Sequence, residues 1–161
     1  MSESPRTMGE SSKLKLILPP QYSRRIFYTS FLSLASVGSA AYNDCRGCVV
    51  CAAMVMLTSL NYWRHPVFGI RRNLDMAVCA ASLSYQLGLA AHSAESAPRN
   101  AYFLTVVAGI GCYGCSRFFS FAYGDKNTAS KFHCLLHAAG NVGNLILYDS
   151  LGVNWLQLSA P

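Results

Sequence analysis

Ala101-Tyr-Phe-Leu-Thr-Val-Val-Ala-Gly-Ile-Gly-Cys-Tyr-Gly-Cys-Ser-Arg-Phe-Phe-Ser-Phe-Ala-Tyr123 runs for twenty-three residues with one charge, Arg117. About 20 mostly apolar residues in an α-helix cross a hydrocarbon core of about 30 Å, so this stretch predicts a membrane-spanning helix. Four more runs of similar character flank it: Ile26–Tyr42, Gly47–Trp63 and Leu74–Ala91 before it, and Phe132–Asp149 after it. The runs are continuous, without the period-two alternation of barrel strands, and a bilayer accepts only helices and closed barrels as spanning elements. The expected fold is therefore all-α, a polytopic transmembrane bundle of about five spans.

Charge placement supplies an orientation. Arg6, Lys13, Lys15, Arg24 and Arg25 precede the first run; Arg64, Arg71 and Arg72 follow the second; Arg117, Lys126 and Lys131 close the fourth and open the fifth. Eleven of the 13 basic residues thus fall in alternate gaps, leaving Arg46 and Arg99 for the other side. The positive-inside rule then predicts a cytoplasmic N-terminus and a C-terminus across the membrane. The net charge of +6 reads as topology plus attraction to anionic lipid. A 12% charged content is half that of ordinary soluble domains, about 25%.

Residues 1–22 are rich in Ser, Glu, Lys and Pro and read as a disordered cytoplasmic tail; 23–152 form the five-helix bundle and 153–161 a short C-terminal tail. No basic patch on a soluble fold points to nucleic acid, no G-x-S-x-G elbow or phosphate-binding glycine loop appears, and the few intramembrane charges do not make a pore. Small residues at close-packing spacing, Ser36 with Ala40, Gly111 with Cys115 and Gly140 with Gly143, predict intimate helix contacts. Among seven cysteines, Cys45, Cys48 and Cys51 and then Cys112 and Cys115 fall three apart. They read as small packing residues, with a Cys45–Cys48 redox pair as the alternative.

The last run carries the chemistry. His133, His137, Asn141, Asn144 and Tyr148 recur at steps of four, four, three and four and so share one helix face, opposite Leu135, Ala138, Ala139, Val142 and Ile146. A polar stripe within hydrocarbon needs a bundle interior, a cavity or a ligand to face. Under the expected topology Ser59, Asn61 and His65 leave the second span, and Asp75 starts the third, at the level where His133 and His137 begin the fifth. Two imidazoles one turn apart, about 6 Å along the axis, can share a metal ion.

Ser59-Leu-Asn-Tyr-Trp63, then Arg71-Arg-Asn-Leu-Asp75, then His133-x-x-x-His137 with Ala-Ala-Gly140, resembles the hemolysin III, progestin/adipoQ-receptor and alkaline ceramidase superfamily. Those are seven-span membrane proteins, several of them zinc-dependent lipid amidases. The resemblance implies zinc on His133, His137 and a third imidazole, with Asp75 polarising a catalytic water and Ser59 bonding the reacting group. Trp63 stands where the family's Ser-x-x-x-His has its histidine, and the nearest imidazole, His65, is two positions out of register.

The residues also have plainer readings. His133 and His137 can knit helices together, Asp75 can complement a helix N-terminus, Ser59 can bond back into its own helix, and His65 beside Pro66 can be a solvated loop residue. The reading taken from the sequence is a non-enzymatic accessory, scaffold or lipid-binding membrane protein without a cofactor. Its partners are membrane lipids, with a second copy of the chain or another membrane protein as a further partner. The alternative is a membrane-embedded zinc-dependent lipid amidase or esterase, with zinc on His133, His137 and His65 and a water held near Asp75 and Ser59.

Overall fold

The computed structural model describes residues 16–93 and 95–158; most of the expected N-terminal tail, residues 1–15, and positions 159–161 lie outside it. The elements are α1 (Pro20–Thr29), a 3-10 turn (Ser30–Leu32), α2 (Ser33–Tyr42), α3 (Arg46–Trp63), α4 (Ile70–Ser93), α5 (Ser96–Ala122) and α6 (Lys126–Leu158). With α1, the turn and α2 taken as one rod, five rods form an all-helical bundle. Among the described residues there is no strand, only an isolated antiparallel bridge between Leu16 and Val67. The helices α4, from Ile70 to His92, and α5 are each long and apolar enough to cross a membrane.

Local chemistry sets the rod ends. Gly124, at φ 64°, takes the left-handed position that ends α5, and Asp125 then caps α6 by accepting the Thr128 N–H at 3.0 Å. The Thr128 hydroxyl and N–H both bond this carboxylate, which holds its pKa below the usual carboxylate range. Gly69, at φ 137°, adopts the backbone that leads into α4. The bundle starts earlier than the boundary expected at residue 23: Ile17 N–H donates to the Pro66 carbonyl at 2.9 Å, Leu18 is buried, and α1 begins at Pro20. At the other terminus α6 runs on through Leu158.

The expected first span, Ile26–Tyr42, is interrupted by the 3-10 turn at Ser30–Leu32. Thr29 and Ser30 hydroxyls both donate to the Ile26 carbonyl, at 3.0 and 2.9 Å, where the Ser30 N–H also donates. Three donors crowding one acceptor favour a tighter turn, and the 3-10 segment follows directly. Ser30 and Ser33, at this turn, are buried in the bundle interior.

Burial is inverted relative to a water-soluble bundle. Leu34, Val50, Leu57, Leu104, Val107, Phe121, Leu135 and Val142 are exposed, while Ser30, Ser36, Thr58, Ser59, Asp75, Ser82, Gln86 and Ser130 are buried. Water-exposed proteins rarely carry so continuous an apolar exterior. The apolar core that does exist is split between the two ends of the bundle. Ala40, Cys48, Ala90, Tyr102, Leu147 and Tyr148 close one end, and Leu18, Ile26, Tyr62 and Trp63 pack at the basic end. Only some of the small-residue pairs are contacts. A side chain at Gly143 would collide with Thr105 Oγ1 of α5, which explains the close α5–α6 packing, whereas Gly111 and Gly140 have open space where a Cβ would go.

Candidate functional site

The rods α5 and α6 pack along their length and α3 packs against both α2 and α4, but α4 touches α5 only sparsely. Between them lies a partly open cavity of about 440 Å³. Two polar stripes border it. On α6 the stripe is His133, His137, Asn141 and Asn144; on α4 it is Asp75, Cys79, Ser82 and Gln86, at steps of four, three and four, all lining the same cavity. Apolar side chains such as Val55, Leu83, Val106 and Leu136 complete the wall.

The stripes meet at one end. Gln86 Nε2 donates to the Tyr148 hydroxyl at 2.8 Å, and the Tyr102 hydroxyl donates to Gln86 Oε1 at 3.3 Å, tying α4, α5 and α6 together. Tyr102 and Tyr148 are essentially inaccessible, and Gln86 is buried. From this knot the cavity lining continues to His133 and Asp75 at the basic end.

Four of the five residues predicted from the sequence line this cavity: Ser59, Asp75, His133 and His137. Ser59 Oγ donates to Asp75 Oδ1 at 2.6 Å, so it bonds across to α4 rather than back into its own helix. Thr58, which the sequence reading passed over, shares its proton between the Met54 carbonyl at 2.9 Å and Asp75 Oδ1 at 3.2 Å. The fifth residue, His65, is an exposed loop residue away from the cavity. His133 and His137 sit with ring centroids 5.2 Å apart, and the Trp63 ring packs at 4.8 Å against His133. The indole thus fills the place where the resemblance would put a third imidazole.

Thr29 Oγ1 lies 3.4 Å from His137 Nδ1, which links α1 to α6 and leaves Nε2 on the cavity side of the ring without a hydrogen-bond partner among the described residues. Asn141 and Asn144 face α2: Ser36 Oγ donates to Asn141 Oδ1 at 2.6 Å and accepts from Asn144 Nδ2 at 3.3 Å. They act as links between helices.

The fit to zinc is incomplete. Tetrahedral zinc takes three or four protein donors, and among the described residues no group of three or more His, Cys, Asp or Glu side chains is placed to share an ion. Two imidazoles are in place. Asp75 has one oxygen committed to Ser59 and Thr58. Of the cysteines, Cys79 lines the cavity and its thiol contacts Asp75 Oδ1 at 3.9 Å, while Cys45 and Cys48 are neighbours at the knotted end.

A second, smaller pocket of about 130 Å³ adjoins the cavity at the basic end and shares Asp75, Met76, Tyr113 and His133 with it; Arg72, Arg117 and Ser120 form its polar rim. Neither arginine was singled out as a site residue by sequence reasoning, because both sit in clusters that topology alone explains. The chain matches no family model, no curated protein and no solved structure.

Proposed function

We propose that this chain is a multi-pass integral membrane protein that binds a lipid in the cavity between α4 and the α5–α6 pair, and that it works as a lipid-binding accessory or scaffold component. The observation that carries this reading is the cavity itself. Its volume of about 440 Å³ falls within the usual range of small-molecule sites, about 300–1,000 Å³. Its wall alternates apolar side chains with buried hydroxyl, amide and imidazole groups, which suits an acyl chain joined to a polar backbone. The inverted burial supports the membrane setting, since buried serines inside and exposed leucines outside fit a hydrocarbon solvent.

In this reading all five rods span the bilayer, the N-terminus is cytoplasmic and the C-terminus lies across the membrane, as the alternate basic gaps require. At about 50 Å for 33 residues, α6 is longer than the hydrocarbon core and projects beyond it. The sparse contact between α4 and α5 would then be the route by which a lipid enters from the bilayer.

The test is lipid retention. Purified in mild detergent, the wild type carries about one lipid per chain, measured by native mass spectrometry and by extraction. Gly140→Phe places a ring in the open space beside Gly140 and loses that lipid while remaining helical. Wild-type protein without lipid, or a Gly140→Phe variant that retains it, contradicts the reading.

One observation favours a second reading. Ser59, Asp75, His133 and His137 line a single cavity, the arrangement that a zinc-dependent lipid hydrolase of the resembled superfamily would use. Stoichiometric zinc in the purified protein, lost in His133→Ala with His137→Ala, would select it over the accessory role.

A further inference from the structure

Resting on the lipid-cavity reading, we propose that the small pocket at the basic end is a headgroup site for a single-chain lipid phosphate monoester. The phosphate sits between Arg72 and Arg117, and the chain runs into the larger cavity. Both guanidiniums lie with one face on an aromatic ring, Arg72 at 5.4 Å from the Phe68 centroid and Arg117 at 4.4 Å from that of Phe121. Stacking uses the face of the guanidinium and leaves its in-plane N–H donors free. Neither has a carboxylate partner, the one ion pair among the described residues being Arg46 with Asp44.

The other polar groups narrow the ligand. Ser116 and Ser130 have spent their protons on the Ala129 and Asn127 carbonyls, both at 2.8 Å. Ser120 is different: its oxygen accepts from Lys126 Nζ at 2.6 Å, so its own proton remains to be donated. Two guanidiniums, one hydroxyl and a lysine behind that hydroxyl make a strongly cationic donor set that matches the charge and the three oxygens of a phosphate monoester better than a single carboxylate.

Asp75 fixes the order of groups along the ligand. It lies one turn deeper on α4 than Arg72 and belongs to both pockets. A carboxylate there repels a phosphate but accepts a hydroxyl, so the lipid's backbone hydroxyl belongs at Asp75, the phosphate above it and the chain below. A neutral lipid would leave the two arginines without an anion. A single chain suits the one cavity that shares Asp75, Met76, Tyr113 and His133 with this pocket.

The experiment compares 1-oleoyl lysophosphatidate, monooleoylglycerol and oleate for binding to the full-length protein in detergent, by native mass spectrometry. The expected result is that lysophosphatidate binds about tenfold or more tighter than monooleoylglycerol, the margin of one charge-assisted contact, with oleate between them. Arg72→Gln with Arg117→Gln brings the three affinities together, and added salt narrows the preference in the wild type without any substitution. Equal wild-type binding of all three, or a preference unchanged by both the substitutions and salt, overturns the phosphate site while leaving the lipid cavity standing. No binding of any of the three overturns both.

Discussion

The two ends of the cavity are built from the same kind of helices and do opposite things. At the knotted end, Gln86, Tyr102 and Tyr148 satisfy one another and Gly143 lets α5 and α6 touch. At the basic end, Arg72, Arg117 and the Nε2 of His137 have no such closed network among the described residues. Polar groups inside a bundle stabilise it when they pair; groups left facing a cavity are available to a ligand. The contrast separates structure-holding polar residues from candidate binding ones better than residue type does, since both ends carry tyrosines, hydroxyls and amides.

Substitutions at matched positions should expose that difference, and the largest effect is expected where packing is tightest. Gly143→Leu drives a side chain into Thr105 and costs about 1–3 kcal/mol of overpacking; thermal unfolding in detergent should show a clear drop. Gly140→Phe, one turn away but over open space, should stay within about 0.5 kcal/mol of wild type. Equal destabilisation by the two would erase the distinction between packed and open faces of α6.

Next in size is the knot. Gln86→Leu leaves the Tyr148 and Tyr102 hydroxyls unpartnered in the interior, a loss of about 1–3 kcal/mol, and should be rescued in part by Tyr148→Phe. Additive losses in the double variant would contradict the network. Ser59→Ala removes one of the hydroxyls holding Asp75, with Thr58 still in place, so a smaller loss of about 1 kcal/mol is expected.

The smallest effect belongs to the N-terminal cap of α6. Asp125 has a lowered pKa because Thr128 hydrogen-bonds its ionised form. Its contribution is present above the ordinary carboxylate pKa and is lost as pH falls through the lowered folded-state value. Asp125→Ala should therefore lower the melting temperature slightly at neutral pH, and the gap from wild type should close on acidification. A gap that persists in acid would place the effect elsewhere than in this carboxylate.

Much of this architecture is legible in the chain. Continuous apolar runs locate each helical rod, with Gly47–Trp63 matching α3 closely, but they miss the polar ends of the others, so that α5 starts at Ser96 rather than Ala101 and α6 extends from Lys126 to Leu158 rather than from Phe132 to Asp149. The α6 stripe is visible because five polar residues recur at helical steps in an apolar run. The α4 stripe was equally regular, yet Cys79 and Ser82 are weakly polar and do not stand out until Gln86 is seen opposite Tyr148. Spacing also does not say which face a small residue occupies, so Gly111 and Gly143 look alike in sequence while only one is a contact. The 3-10 turn at Ser30 goes with hydroxyls bonding their own backbone, a choice that serines and threonines make in some helices and not in others. The pairing of Arg72 with Arg117 needs the three-dimensional mouth, because each belongs to a different basic gap.

The most direct test of the central claim is photocrosslinking in native membranes from two leucines. A diazirine analogue of leucine at position 83 lines the cavity, and one at position 135 lies on the exposed face of α6. Mass spectrometry of the adducts should find one dominant single-chain lipid on position 83 and a mixture mirroring the bulk membrane on position 135. The same bulk mixture at both positions, or no lipid on position 83, would contradict a selective lipid site between α4 and α6.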